Sequence, residues 1–156
     1  MRLSLINRAL VVGLFVLGVA GAPVQAQKTW EWEALGLATL ADQDFLGAGF
    51  GLGYRTNGRM RLQVLANAGS LEGSFAFRPE ALISFHLNPY ERNGFTPYAS
   101  GGAAFIFTRD GNAQYLVGVL GLETNPGGKW GWFLEAGFGG GVRIAGGVQI
   151  RRRPSR

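Results

Sequence analysis

Glycine occupies every second position from Gly47 to Gly53, alternating with Ala48, Phe50 and Leu52 and flanked by Leu46 and Tyr54. No helix tolerates this pattern. Each interior glycine costs a helix about 1 kcal/mol relative to alanine, and the apolar residues repeat at two rather than 3.6 positions. Period two is the side-chain alternation of a β-strand. Phe45 and Arg55 fall on the glycine face of this segment.

The same alternation recurs along the chain. In 59–69, Met60, Leu62, Val64, Ala66 and Ala68 oppose Arg59, Arg61, Gln63, Leu65 and Asn67. In 75–87, Phe75, Phe77, Pro79, Ala81, Ile83, Phe85 and Leu87 oppose Ala76, Arg78, Glu80, Leu82, Ser84 and His86. In 130–138, Trp130, Trp132, Leu134, Ala136 and Phe138 oppose Gly131, Phe133, Glu135 and Gly137. In 142–151, Val142, Ile144, Gly146, Val148 and Ile150 oppose Arg143, Ala145, Gly147, Gln149 and Arg151. Three segments alternate less cleanly. In 28–40, Trp30 and Trp32 oppose Glu31 and Glu33, but Leu35 and Leu37 share the carboxylate face. In 113–124, Leu116, Leu120 and Leu122 oppose Tyr115 and Glu123. In 96–108 both faces are small or apolar, and the pattern assigns neither.

Eight strands result, separated by short turn signals such as Asn57-Gly58, Asp110-Gly111-Asn112 and Gly139-Gly140-Gly141. Connections this short predict antiparallel hairpins. No solenoid repeat and no second domain is visible.

Residues 1–26 read as a secretory signal peptide. Arg2 and Arg8 form the positive start, Ala9 to Ala20 the apolar core, and Val24-Gln25-Ala26 a small-x-small cleavage site. The apolar core is too short for a membrane-spanning helix. The mature chain then starts at Gln27. The full chain holds no cysteine, which excludes a disulfide scaffold, thiol catalysis and a lipoprotein anchor.

Eight antiparallel strands form a sandwich, a soluble barrel or a transmembrane barrel, and the two faces choose between them. One face is a run of large apolar residues. The other carries glycine, small residues and charges of both signs. Strand glycines exposed to water have little purpose. Turned inward, they make room for long side chains such as Arg59 and Arg61. Charged residues are only 16% of the chain, well under the usual quarter of a soluble domain. The expected fold is therefore all-β: an eight-stranded antiparallel up-and-down transmembrane β-barrel over 27–151. A cleaved signal peptide (1–26) precedes it, and a basic tail (152–156) follows.

With the mature N-terminus in the periplasm, Trp30, Tyr54, Tyr98 and Trp130 are expected at the periplasmic ends of their strands. Phe45, Phe75, Phe77, Phe107 and Tyr115 are expected at the outer ends. Two aromatic belts suit the two membrane interfaces.

The signal peptide, the eight alternating segments and Phe95-Thr96-Pro97-Tyr98-Ala99-Ser100-Gly101-Gly102 resemble small outer-membrane β-barrel proteins, the OmpA/OmpX/OmpW-like superfamily of Gram-negative bacteria. The resemblance covers nearly all of 27–151. It implies the bacterial outer membrane as location, outer-membrane lipid and the barrel-assembly machinery as partners, and a monomer. Two features depart from it. Such barrels usually end on an aromatic residue, whereas this sequence ends Ile150-Arg151-Arg152-Arg153-Pro154-Ser155-Arg156. Its connections are also short, which argues against receptor and adhesin roles.

The expected lumen carries Glu31, Glu33, Arg59, Arg61, Arg78, Glu80, Glu123, Glu135 and Arg143. Eight strands enclose a space just wide enough for side chains, and charges removed from water need partners. An internal ion-pair network that closes the barrel is the expected arrangement, with a structural, membrane-integrity role. The alternatives are an OmpW-like barrel passing or holding a small amphipathic molecule, and a secreted soluble barrel binding an apolar ligand.

Catalysis is not expected. Some outer-membrane barrels modify lipid A with a Ser/His/Glu set, and this chain places Ser84, His86 and Glu80 on one strand. All three share the inward face, and Asn88 stands where the deacylase pattern has serine. The glycines of 47–53 lack the Gly-Lys-Ser/Thr ending of a phosphate loop. With one histidine and no cysteine, no metal or cofactor is expected.

The chain's formal charge of +5 does not indicate nucleic acid. Arg2 and Arg8 leave with the signal peptide, and thirteen basic residues then face ten acidic ones. Arg151, Arg152, Arg153 and Arg156 lie at the C-terminus, and residues 27–150 carry a net −1. Those four arginines are expected as a tail at the periplasmic lipid headgroups.

Overall fold

The structure is a computed structural model that describes residues 29–56, 59–89 and 94–152. Residues 1–28, which include the expected signal peptide, and residues 57–58, 90–93 and 153–156 lie outside the described residues. Eight strands follow in chain order: β1 (Thr29–Leu40), β2 (Phe45–Arg55), β3 (Met60–Leu71), β4 (Ser74–His86), β5 (Phe95–Phe107), β6 (Asn112–Thr124), β7 (Trp130–Phe138) and β8 (Val142–Arg152). Each pairs antiparallel with the next, and β8 pairs with β1, so the sheet closes into a barrel. Strands of 9 to 13 residues meet the ~9–11 that a tilted strand needs to cross a bilayer.

The turns follow from local chemistry. Leu71 pairs with Ser74, and Glu72 and Gly73 between them both have positive φ, 49° and 85°. That is the two-residue primed turn that matches strand twist. Gly140 and Gly141, at φ 78° and 139°, give the β7–β8 reversal a path closed to other residues. These turns, with those at Ala41–Asp44 and Thr108–Gly111, form one rim. The chain enters and leaves at the opposite, terminal rim.

The side-chain distribution is inverted relative to a soluble barrel. Outward positions hold 27 large exposed hydrophobics among the described residues, from Trp30 to Ile150. A soluble monomer rarely exposes an apolar patch beyond a few hundred Å²; here the whole wall is apolar. Inward positions hold five glutamates (31, 33, 80, 123, 135) and five arginines (55, 61, 78, 143, 151), all buried. The interior is therefore charge-balanced, and the rims are not. Asp42, Asp44, Glu72 and Asp110 face Arg109 on the turn rim. The described residues of the terminal rim add Arg59, Lys129 and Arg152.

The ambiguous segment resolves as β5. Thr96, Tyr98, Ser100, Ala104 and Ile106 point inward; Phe95, Pro97, Ala99, Phe105 and Phe107 point outward. β6 keeps Leu116, Leu120 and Leu122 outward. Leu35 and Leu37 stay on the carboxylate face and are buried inside the barrel.

Part of the aromatic belt requires correction. Trp30, Phe75, Phe77, Phe107 and Trp130 are exposed on the wall, and Tyr54 lies half-buried against Trp30, with ring centroids 4.9 Å apart. Tyr98 and Phe45, by contrast, are buried in the interior, and Tyr115 packs against the interior apolar cluster. Parity decides these cases. Tyr98 is an odd number of residues from Phe107, so the two cannot share a face. Phe45 belongs to the glycine face, and Tyr115 alternates with Leu116.

Candidate lumen network

The interior is crossed by side chains from all eight strands. At the terminal end, Glu123 of β6 gathers four groups. Arg55 Nη2 lies at 3.2 Å, Gln149 Nε2 at 2.9 Å, Arg151 Nη2 at 3.1 Å and His86 Nε2 at 3.3 Å. Glu31 of β1 accepts from Arg55 Nε at 2.8 Å and from Arg61 Nη1 at 3.2 Å. Arg61 Nη1 also reaches Glu33 and Gln149, both at 3.1 Å, and Gln63 donates to the other Glu33 oxygen. Apart from Glu31–Arg55, which joins the neighbouring strands β1 and β2, these bonds link strands that are not adjacent in the sheet.

A second set fills the other half. Arg143 donates to Glu135 at 2.6 Å and to Glu80 at 3.0 Å. Arg78 donates to Glu80 at 2.7 Å, to Thr39 Oγ1 at 2.8 Å and to the Gly139 carbonyl at 2.8 Å. Tyr98 joins the two sets: its hydroxyl donates to Glu135 at 2.8 Å, and the Arg61 guanidinium lies 5.2 Å from its ring centre. Between these polar sets, Leu35, Leu37, Leu65, Leu82, Val119 and Phe133 are buried inside the barrel. The interior thus holds an apolar filling as well as ion pairs.

Glycine makes this density possible. A methyl group at Gly53 would lie 3.3 Å from Arg61 Cδ, and one at Gly51 would press on Leu65 and Glu33. Gly121, opposite Tyr98 in the ladder, leaves the space its ring occupies.

Of the nine residues expected in the lumen, eight meet in this network: Glu31, Glu33, Arg61, Arg78, Glu80, Glu123, Glu135 and Arg143. Arg59 does not. It precedes β3 and is exposed, and its carbonyl accepts from the His86 backbone N–H at 2.8 Å. Two members were missed. Arg55 sits on the glycine face of β2 and Arg151 on the arginine face of β8; both are buried. Arg151 is therefore no part of an exposed tail, since its guanidinium holds Glu123 and the Asn125 carbonyl. β8 itself runs through Arg152. Strand parity marked both residues as inward; their positions at strand ends hid it.

The Ser84, His86 and Glu80 set is committed elsewhere. Ser84 accepts a hydrogen bond from Ser100 at 2.8 Å, His86 stacks on Tyr98 at 4.8 Å, and Glu80 holds two arginines. All three are buried. Among the described residues, no group of three or more His, Asp or Glu is placed to hold a metal.

The chain is similar to the solved N-terminal β-barrel domain of Pseudomonas aeruginosa OprF: TM-score 0.62, 20% identity, covering 82% of this chain and all of that one. The chain has the fold of the eight-stranded outer-membrane barrels. Pseudomonas aeruginosa OprG (TM-score 0.53, 9% identity, 83% and 97% covered) and Neisserial surface protein A (TM-score 0.50, 11% identity, 80% and 97% covered) share it. No protein-family model and no curated protein sequence matches the chain. At these identities the likeness concerns architecture alone.

Proposed function

We propose that the protein is a monomeric barrel of the bacterial outer membrane, exported by residues 1–26, whose closed lumen makes it a structural component of the envelope. One observation carries the reading: ten charges of balanced sign, drawn from β1, β2, β3, β4, β6, β7 and β8, are buried across the lumen. A conducting lumen keeps its charges in water. Here each is paired, and leucine, valine and phenylalanine occupy the space between. Insertion by the barrel-assembly machinery, contact with outer-membrane lipid and the absence of catalytic, nucleic-acid and cofactor roles belong to the same reading. An OmpW-like path for a small amphipathic molecule is the competing one.

Planar-bilayer recording of the purified, refolded protein separates them. The closed barrel gives no discrete conductance steps above background. Reproducible unitary steps from wild type would favour the transport reading.

A further inference from the structure

The lipid-facing wall is uniform in chemistry but not in relief. On β5 the outward residues between Phe95 and Phe105 are Pro97, Ala99, Gly101 and Ala103, none of which stands tall. Toward the terminal rim their ladder neighbours do: Ala99 lies between Phe85 of β4 and Leu120 of β6, whereas Gly101 lies between Ile83 and Gly118, and Ala103 between Ala81 and Leu116. Pro97 lies beside Leu122 and accepts the Leu87 N–H at 3.2 Å. A groove follows, with a floor of small residues; leucine and phenylalanine wall its Pro97–Ala99 end on both sides, and beyond it Gly118 and Ala81 leave one wall low at a time. Its deep part, which reaches from Phe85, Pro97 and Ala99 across Leu120 to Leu134 and Ala136 of β7, holds about 500 Å³.

We propose that this groove seats one acyl chain of an anionic glycerophospholipid whose phosphate lies against the terminal rim. The proposal rests on the membrane reading above. From Pro97 to Ala103 the floor runs ~20 Å at ~3.3 Å per residue. At the usual strand tilt of ~35–45° this spans ~15 Å of depth, the apolar thickness of one leaflet. A chain lying between tall walls makes contacts on three sides, which an acyl chain on a smooth wall does not.

Charge fixes the orientation and the headgroup. The groove's deep end opens at the terminal rim. There Arg59 adjoins the end of β4 through the His86–Arg59 backbone bond, and Lys129 immediately precedes β7. Both are exposed. At the same rim Phe95 meets Trp132 edge-on at 5.5 Å, an aromatic pair at headgroup depth. The other rim, with Asp42, Asp44, Glu72 and Asp110, repels a phosphate.

The test uses the full mature chain, refolded into bicelles of equal phosphatidylglycerol and phosphatidylcholine. Retained lipid is counted by native mass spectrometry. Wild type is expected to keep one phosphatidylglycerol, favoured about fivefold for each cation engaged. Ala99→Trp, which fills the groove from the lipid side, loses that lipid while keeping heat-modifiable gel mobility. The pair Arg59→Glu and Lys129→Glu keeps a bound lipid but loses the headgroup preference. Equal retention in Ala99→Trp and wild type would overturn the proposal. So would dimers cross-linked through Leu120→Cys, which would place a second copy in the groove. A chain that fails to insert at all defeats the membrane reading instead.

Discussion

Replacing Arg61 with methionine is expected to lower the unfolding free energy of the refolded barrel by about 3–5 kcal/mol. Arg61 supplies the one ion pair that Glu33 makes among the described residues, at 3.1 Å. Glu31 is less exposed to the loss, because Arg55 at 2.8 Å and Arg151 at 3.5 Å remain. The variant therefore leaves a buried carboxylate with only Gln63 beside it. Adding Glu33→Leu removes that stranded charge and returns the interior to four residues of each sign. The double variant is expected to recover more than half of the loss, since exchanging a buried pair for apolar groups is often near neutral. Urea titration in lipid vesicles measures both, with Trp30, Trp32, Trp130 and Trp132, all exposed on the wall, as intrinsic probes. A loss under ~1 kcal/mol for Arg61→Met is the figure for a pair screened by water, and would show the lumen to be wet.

The second large effect lies one residue from the interior. Val64 is 61% exposed on β3, while its neighbours Gln63 and Leu65 are buried. Val64→Arg is expected to cost about 2–4 kcal/mol, the penalty for arginine on the lipid face near the bilayer midplane. On a soluble barrel the same substitution would sit in water and change stability by about 0.5 kcal/mol or less. Refolding yield into vesicles and urea titration of the folded fraction distinguish the two outcomes.

The strand count and the assignment of faces were legible because most segments oppose large apolar residues to glycine or charge. Strand ends were less so. Arg59 and Arg61 have the same parity, yet only Arg61 lies within a strand, and alternation does not report where a strand begins. Arg55 and Arg151 were hidden for the converse reason. In β5 small residues occupy both faces, and only the neighbours, Phe85 and Leu120 outside and Glu135 inside, fix which way it turns. The aromatic residues divide along the same line. An aromatic near a strand end suits an interfacial belt, but parity sends Tyr98, Phe45 and Tyr115 inward, where Tyr98 joins the two polar sets. Pairings such as Arg143 with Glu80 depend on which strands face each other across the closed barrel, and no local pattern encodes that.

The central claim is that the apolar face meets lipid and the charged face encloses a dry interior. Single cysteines at positions 62 through 67 of β3 test it directly, since the chain has none of its own. Each variant, refolded in vesicles, is treated with a membrane-soluble maleimide and, separately, with a charged methanethiosulfonate. Leu62→Cys, Val64→Cys and Ala66→Cys are expected to react with the maleimide alone, and Gln63→Cys, Leu65→Cys and Asn67→Cys with neither reagent. Modification of the even positions by the charged reagent would place that face in water, and modification of the odd ones would show an open, water-filled lumen; either result would contradict the account.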